Sequence, residues 1–160
     1  MRRVVLAVMV AILLASALWA QGGMVAAPAE MKFGPLPSMP ACVQGAILHG
    51  DPGKTAFTAQ LKGTLGCKIP WHWHTMTEQL SMVSGGARLE MRGGPAKAMT
   101  AGSYAYLPSK HQHEFVCATA CVLTLVSDGP SDIHYVDASG KEMTPEEALK
   151  PARKPAAMKK

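Results

Sequence analysis

Gly66-Cys67-Lys68-Ile69-Pro70-Trp71-His72-Trp73-His74-Thr75-Met76-Thr77-Glu78, running on to Gly85, is the stretch around which the chain is organised. His72 and His74 are two residues apart, so a strand would send both imidazoles from one face. Glu78 follows four residues later, far enough for the chain to bend and return a carboxylate toward the same point. Two imidazoles and a carboxylate suit a first-row divalent cation with positions left open for water or substrate. An HxH pair alone is a weak signal, because one histidine of such a pair is often buried and the other merely exposed. Here a second cluster, His111-Gln112-His113, follows Pro108 and offers a further ligand from another strand. His111 and His113 share a parity, so spacing does not choose between them.

Outward from this stretch the chain reads as short strands. Cys42 to Leu48 precedes the turn His49-Gly50-Asp51-Pro52-Gly53, and Thr55 to Leu65 sets Phe57, Ala59 and Leu61 against Thr58, Gln60 and Lys62. Pro70 suits a strand start better than the middle of a ladder. Trp71 and Trp73 fall opposite the histidines, where two indoles would pack against a second sheet or a subunit. Leu80 and Met82 share the parity of Glu78, and Ser84-Gly85-Gly86 supplies a hairpin turn. Cys121 to Ser127 is the last clearly apolar strand, with a short one at Ile133 to Val136. Strands at this spacing, divided by Gly/Pro turns, predict an all-β antiparallel barrel or sandwich. Thr144, Pro145 and Glu147 mark a short helix near the end. His49, His134 and Arg88 read as ordinary exposed or structural side chains.

The first stretch resembles the first cupin motif: a glycine, five residues, HxH, three residues, a glutamate, six residues and a glycine, filled by Gly66, His72, His74, Glu78 and Gly85. The second cupin motif is matched by Gly102, Pro108 and His113, with Lys110 where a second glycine is expected and Cys117 where an asparagine is expected. The resemblance covers roughly Ala41 to Tyr135. It implies a small antiparallel β-barrel of jelly-roll topology and the metal ligands His72, His74, Glu78 and His113, choosing His113 over His111. Leu80, Met82 and Phe115 would line the interior. Cys117, on the His113 face, would point into the same cavity, where a thiolate would favour copper or zinc.

The chain has 160 residues, room for one domain. Arg2-Arg3 before the apolar run Val4 to Trp19 reads as a secretory signal peptide over residues 1–20, with cleavage after Ala17 or Ala29 as alternatives to Ala20. The run is too short for a stable membrane span. Residues 21–40 read as an extended arm, which in cupins often lies on a partner subunit, here through Phe33, Leu36 and Met39. The barrel would occupy residues 41–137, and residues 138–160 the short helix and a basic flexible tail. Between Gln21 and Leu149 nine basic and eleven acidic side chains give a net charge of −2. The overall excess of +5 therefore sits at the ends and gives no case for nucleic-acid binding.

Four cysteines, Cys42, Cys67, Cys117 and Cys121, lie in the part that would be exported. An oxidising compartment permits bridges, and four cysteines allow three pairings. Cys117 with Cys121 across a hairpin would leave Cys42 to Cys67. Cys67, five residues before His72, falls on the opposite face if its strand is unbroken.

These readings predict a periplasmic or secreted, metal-dependent cupin enzyme acting on a small oxygenated molecule, a dioxygenase-type oxidoreductase and a homodimer. The cofactor would be a divalent transition metal: iron, manganese, nickel, zinc or copper. Glu78 would be both ligand and catalytic proton acceptor. The competing readings are a cupin isomerase or lyase, a non-catalytic copper, zinc or small-ligand binding protein, and a structural or sugar-binding barrel that retains a metal.

Overall fold

Alternation of apolar and polar side chains, broken by glycine and proline, folds this chain into two antiparallel sheets facing one another across an apolar interior. The computed structural model describes residues 23–150; the signal-peptide reading over residues 1–20 and most of the basic tail lie outside them. The strands are β1 (Gly34–Pro35), β2 (Val43–Gly50), β3 (Phe57–Gly63), β4 (Lys68–Trp73), β5 (Glu78–Ser84) and β6 (Gly86–Met91). They continue with β7 (Lys97–Thr100), β8 (Tyr104–Leu107), β9 (His113–Cys117), β10 (Cys121–Ser127), β11 (His134–Val136) and β12 (Glu142–Met143). A single helical turn, α1 (Pro145–Ala148), follows, started by Thr144 and Glu147 in a reciprocal capping box. Among the described residues no helix is long and apolar enough to cross a membrane.

One sheet has the order β1-β2-β3-β10-β5-β8 and the other β12-β11-β4-β9-β6-β7. From β3 to β11 the chain changes sheets at every connection except β6 to β7, an exchange that suits a jelly roll. The predicted barrel does not close: no ladder joins one sheet to the other among the described residues, and the structure is a two-sheet sandwich. The closing strands are the reason. The outer strands β1 and β12 have two residues each and β7 and β8 four each, too little backbone to carry hydrogen bonding from one sheet into the next.

The motif glycines have a backbone role. Gly85 has φ +75°, and a Cβ there would lie 2.1 Å from the Ala120 carbonyl oxygen, so no other residue fits that turn unchanged. Lys110, standing where the second motif expects glycine, nonetheless adopts the glycine conformation at φ +63°. Its N–H donates to the His74 carbonyl at 2.7 Å, a bond that holds the turn in place.

The segment before β2 makes contacts within this chain. β1 pairs with β2, Leu36 and Met39 pack on this chain's own core, and the Lys62 ammonium sits 3.6 Å over the Phe33 ring. The Tyr135 hydroxyl on β11 donates to the Ser38 carbonyl at 2.8 Å, so Leu36–Met39 straps one sheet to the other. Cys67 does not leave the opposite face from His72. Ile69 pairs with Phe115 and His72 with His113, so β4 carries one extra residue at Pro70–Trp71. That bulge resets the alternation, and Cys67, Ile69 and His72 are all buried.

Cys42 and Cys67 are joined in a disulfide that ties the entry of β2 in one sheet to the entry of β4 in the other. Cys117 and Cys121 are buried free thiols that hydrogen-bond to one another beside Gly63, whose added Cβ would fall 2.4 Å from the Cys117 sulfur. Trp71 and Trp73 are half-buried rather than packed on a second sheet. The Arg92 guanidinium covers Trp71 at 4.9 Å, and the His134 ring stacks on Trp73 at 4.0 Å.

Candidate metal centre

Four inward side chains converge at one level of the sandwich. His72 closes the bulge of β4 and lies opposite His113, the first residue of β9; His74 follows just beyond β4, and Glu78 opens β5. All four side chains are buried. Ring centroids are 4.1 Å apart for His72 and His113, 4.9 Å for His72 and His74, and 5.5 Å for His74 and His113. One nitrogen from each histidine lies within 4.8 Å of the others, close enough for three ligands to share one ion. A Glu78 Oε2 stands 3.2 Å from His74 Nε2 and 3.8 Å from His113 Nε2.

The other ring nitrogen of each histidine is occupied. His72 Nδ1–H donates to the Pro70 carbonyl at 2.7 Å, His113 Nδ1–H to the His111 carbonyl at 2.9 Å, and His74 Nδ1–H to the Asp132 carbonyl. Main-chain acceptors on Nδ1 fix the tautomer and leave the Nε2 lone pairs for a cation. This donor set fits a divalent transition metal: three neutral nitrogens, one carboxylate and no competing ammonium.

Electrostatics divide the histidines. Burial, then the charges of His113 and His74, holds His72 well below the ordinary histidine value. Burial also lowers His113, with Glu78 opposing it. For His74 burial acts in the same direction, but the charge and hydrogen bond of Glu78 outweigh it and raise the pKa. A metal at these nitrogens would compete with protons for the same lone pairs.

Asp132 was invisible to the spacing arguments. Besides its carbonyl on His74, its carboxylate accepts from the Thr75 N–H at 2.9 Å and from the Thr75 hydroxyl. Partial burial raises the Asp132 pKa, but the two Thr75 bonds and neighbouring His134 outweigh this and lower it. No sequence signal pairs Asp132 with the HxH stretch. Only its place after the breakers Gly129-Pro130 marks it as a loop residue.

The site opens onto a cavity of about 500 Å³ between the sheets. Leu80 and Phe115 line it as expected, whereas Met82 is buried in the core without lining it. Cys117 does not line it and does not join the histidines. It sits four residues along β9 from His113, and burial together with Cys121 pushes its thiol up to about 12, so the expected thiolate ligand is absent. Lys110 is exposed and outside the lining, and His49 is exposed. Arg88 lies on the outer face, 3.0 Å from Glu90 and 3.4 Å from Glu114.

Residues 63–127 match the family model described as Cupin domain. Among solved structures, the polyketide cyclase RemF from Streptomyces resistomycificus is similar with a TM-score of 0.63 at 15% identity, over 80% of this chain and 99% of that one. An RmlC-like cupin from Shewanella frigidimarina gives 0.57 at 16% identity, over 69% of this chain and 93% of that one. An acetylacetone dioxygenase from Acinetobacter johnsonii gives 0.57 at 20% identity, over 81% of this chain and 89% of that one. No curated protein matches the chain in sequence. Residues 63–127 thus match a cupin domain, and the sandwich has the cupin fold.

Proposed function

We propose that this protein is an exported, metal-dependent cupin enzyme that acts on a small oxygenated molecule, with dioxygenase-type oxidation as its reaction class. The observation that carries the reading is the union of ligand set and space. Three Nε2 atoms fixed by main-chain carbonyls, with Glu78 beside them, face a cavity large enough for a small organic molecule. His72, His74, His113 and Glu78 would hold the metal. When bound, the metal supplies Lewis-acid or redox chemistry to a substrate oxygen.

This chain's own residues do the rest. The carbonyls of Pro70, His111 and Asp132 keep the imidazoles aimed inward. The walls of the cavity limit water around the reacting groups. Glu78, buried against His74, accepts a substrate proton at Oε2. The disulfide between Cys42 and Cys67 supports an oxidising compartment, periplasmic or extracellular. The fold alone does not select the reaction, since similar structures include a cyclase and a dioxygenase. The copper-binding alternative loses its expected fourth soft ligand, because Cys117 faces Cys121 instead of the histidines.

The test is metal analysis of the mature protein, purified without added metal, followed by oxygen uptake across a panel of enolisable ketones and diols. Near-stoichiometric iron, manganese or nickel, lost in His72→Ala without loss of folded protein, is the expected result. Copper or zinc with no oxygen uptake would support a binding protein. Absence of any metal would overturn the reading.

A further inference from the structure

Polarity changes sharply along the length of the cavity. The strand register defines its levels: Glu78 pairs with Ser127, which pairs with Phe57; next inward come Leu80, Leu125 and Ala59; then Leu61 and Leu123. On the facing sheet His72 and His113 form one pair, and Ile69 with Phe115 forms the next. Beyond the histidine level, therefore, every lining side chain from these five strands is hydrocarbon. Polar groups gather at the other end, where Ser131 and Asp132 join the histidines and Glu78. Backbone amides in the deep half are spent in the ladders, so they offer nothing to a hydroxyl. The depth from the Glu78 level to the Leu123 level is about 13 Å, four residues of strand. The strap, tied by Tyr135 to the Ser38 carbonyl, adds Leu36, Pro37 and Met39 to the lining, with Ser38 its one polar side chain.

We propose that the substrate is amphipathic: a head with two chelating oxygens at the histidine–glutamate end and an unfunctionalised hydrocarbon body along Ala59, Leu61, Phe115 and Leu125. The proposal rests on the metal-site reading above and goes beyond it by naming the substrate class. A sugar or polyol is the wrong shape of polarity for this space, because its hydroxyls would lose water and find no partner on these five strands past the first level. Ala59 is the position at which the width of the deep half can be probed. It is 2% exposed, lines the cavity, and has the smallest side chain of the deep wall.

The experiment uses the full mature chain loaded with zinc, which is redox-inert, and titrates it by calorimetry with acetohydroxamate and octanohydroxamate. The two probes share one chelating head and differ only in hydrocarbon. Each buried methylene is worth about fourfold in affinity, so octanohydroxamate is expected to bind at least about fiftyfold more tightly. Ala59→Phe is expected to remove most of that gain while leaving zinc stoichiometry and acetohydroxamate affinity within about twofold. Equal affinity of the two probes for the zinc-loaded wild-type chain would overturn the amphipathic substrate and leave the metal site standing. Failure to take up zinc would instead sink the metal reading on which it rests. Equally tight octanohydroxamate binding by metal-free His72→Ala would overturn the coupling of head and body. The wild-type comparison decides the matter even if Ala59→Phe does not fold.

Discussion

The imidazole Nδ1 of His74 donates to the main-chain carbonyl of Asp132, a residue 58 positions further along the chain. The carboxylate of Asp132 clamps Thr75, the next residue after His74, through both its N–H and its hydroxyl. One loop residue thus grips the exit of β4 from two sides. Asp132→Ala leaves the carbonyl in place but frees the loop that carries it. Metal affinity is expected to fall about tenfold or more, as for other residues that orient a ligating histidine. The carboxylate is partly exposed, so global stability should change little. Competition against a chromophoric chelator measures the first and urea unfolding the second; an unchanged metal affinity would show that the clamp is irrelevant to the site.

Lys110 holds a left-handed conformation at φ +63° in a position the family pattern assigns to glycine. A side chain there costs about 1 kcal/mol, part of which glycine would return through greater freedom when unfolded. Lys110→Gly keeps the N–H that donates to His74. It is expected to stabilise the protein by about 0.5 kcal/mol. A denaturant midpoint lower than that of the wild type would contradict this.

The disulfide between Cys42 and Cys67 spans 25 residues and ties the two sheets at the end away from the histidines. Cross-linking a loop of that length is worth about 3.5 kcal/mol in the chain-entropy account. Cys42→Ser with Cys67→Ser should therefore lower unfolding free energy by about that amount while leaving metal stoichiometry intact. Loss of metal in a still-folded double variant would mean that the bridge shapes the site itself.

Metal-free protein should lose stability as pH falls below the ordinary histidine value. His72 and His113 have lowered pKa values when folded, so on acidification the unfolded chain takes up protons that the native state refuses. Their stabilisation is present above an unfolded value of 6.5 and is lost on descending toward their folded values. His74, raised by Glu78, acts in the opposite sense, stabilising below 6.5 and losing that contribution as pH rises through its folded value. Two groups against one give an expected net loss of stability between pH 7 and 5.5. Thermal unfolding after chelation, followed across that range, reads it out. A melting temperature that rises on acidification would show that the His74–Glu78 pair dominates.

The all-β character was legible in the sequence, because alternation along a strand is a local property of the backbone. The spacing of His72, His74 and Glu78 likewise needed only one bend to bring those groups together. Between His111 and His113 the local pattern was mute, since both have one parity. The structure places His113 against His72 because β9 pairs with β4 in that register, and it leaves to His111 a main-chain carbonyl.

What only the tertiary structure decided is of another kind. The extra residue at Pro70–Trp71 reversed the expected face of Cys67, because a bulge forms between two paired strands and has no period to announce it. The segment before β2 bridges this chain's own sheets, where Leu36, Met39 and Tyr135 find apolar surface and a carbonyl acceptor. Asp132 became a support for His74 only once the loop carrying it was folded against β4. By itself the sequence determined which side chains share a strand face and hence which atoms were available to bind a cation. Which of those faces meet, how far apart, and around what space depended on contacts between residues distant in the chain, and no local pattern encodes the sum of those contacts.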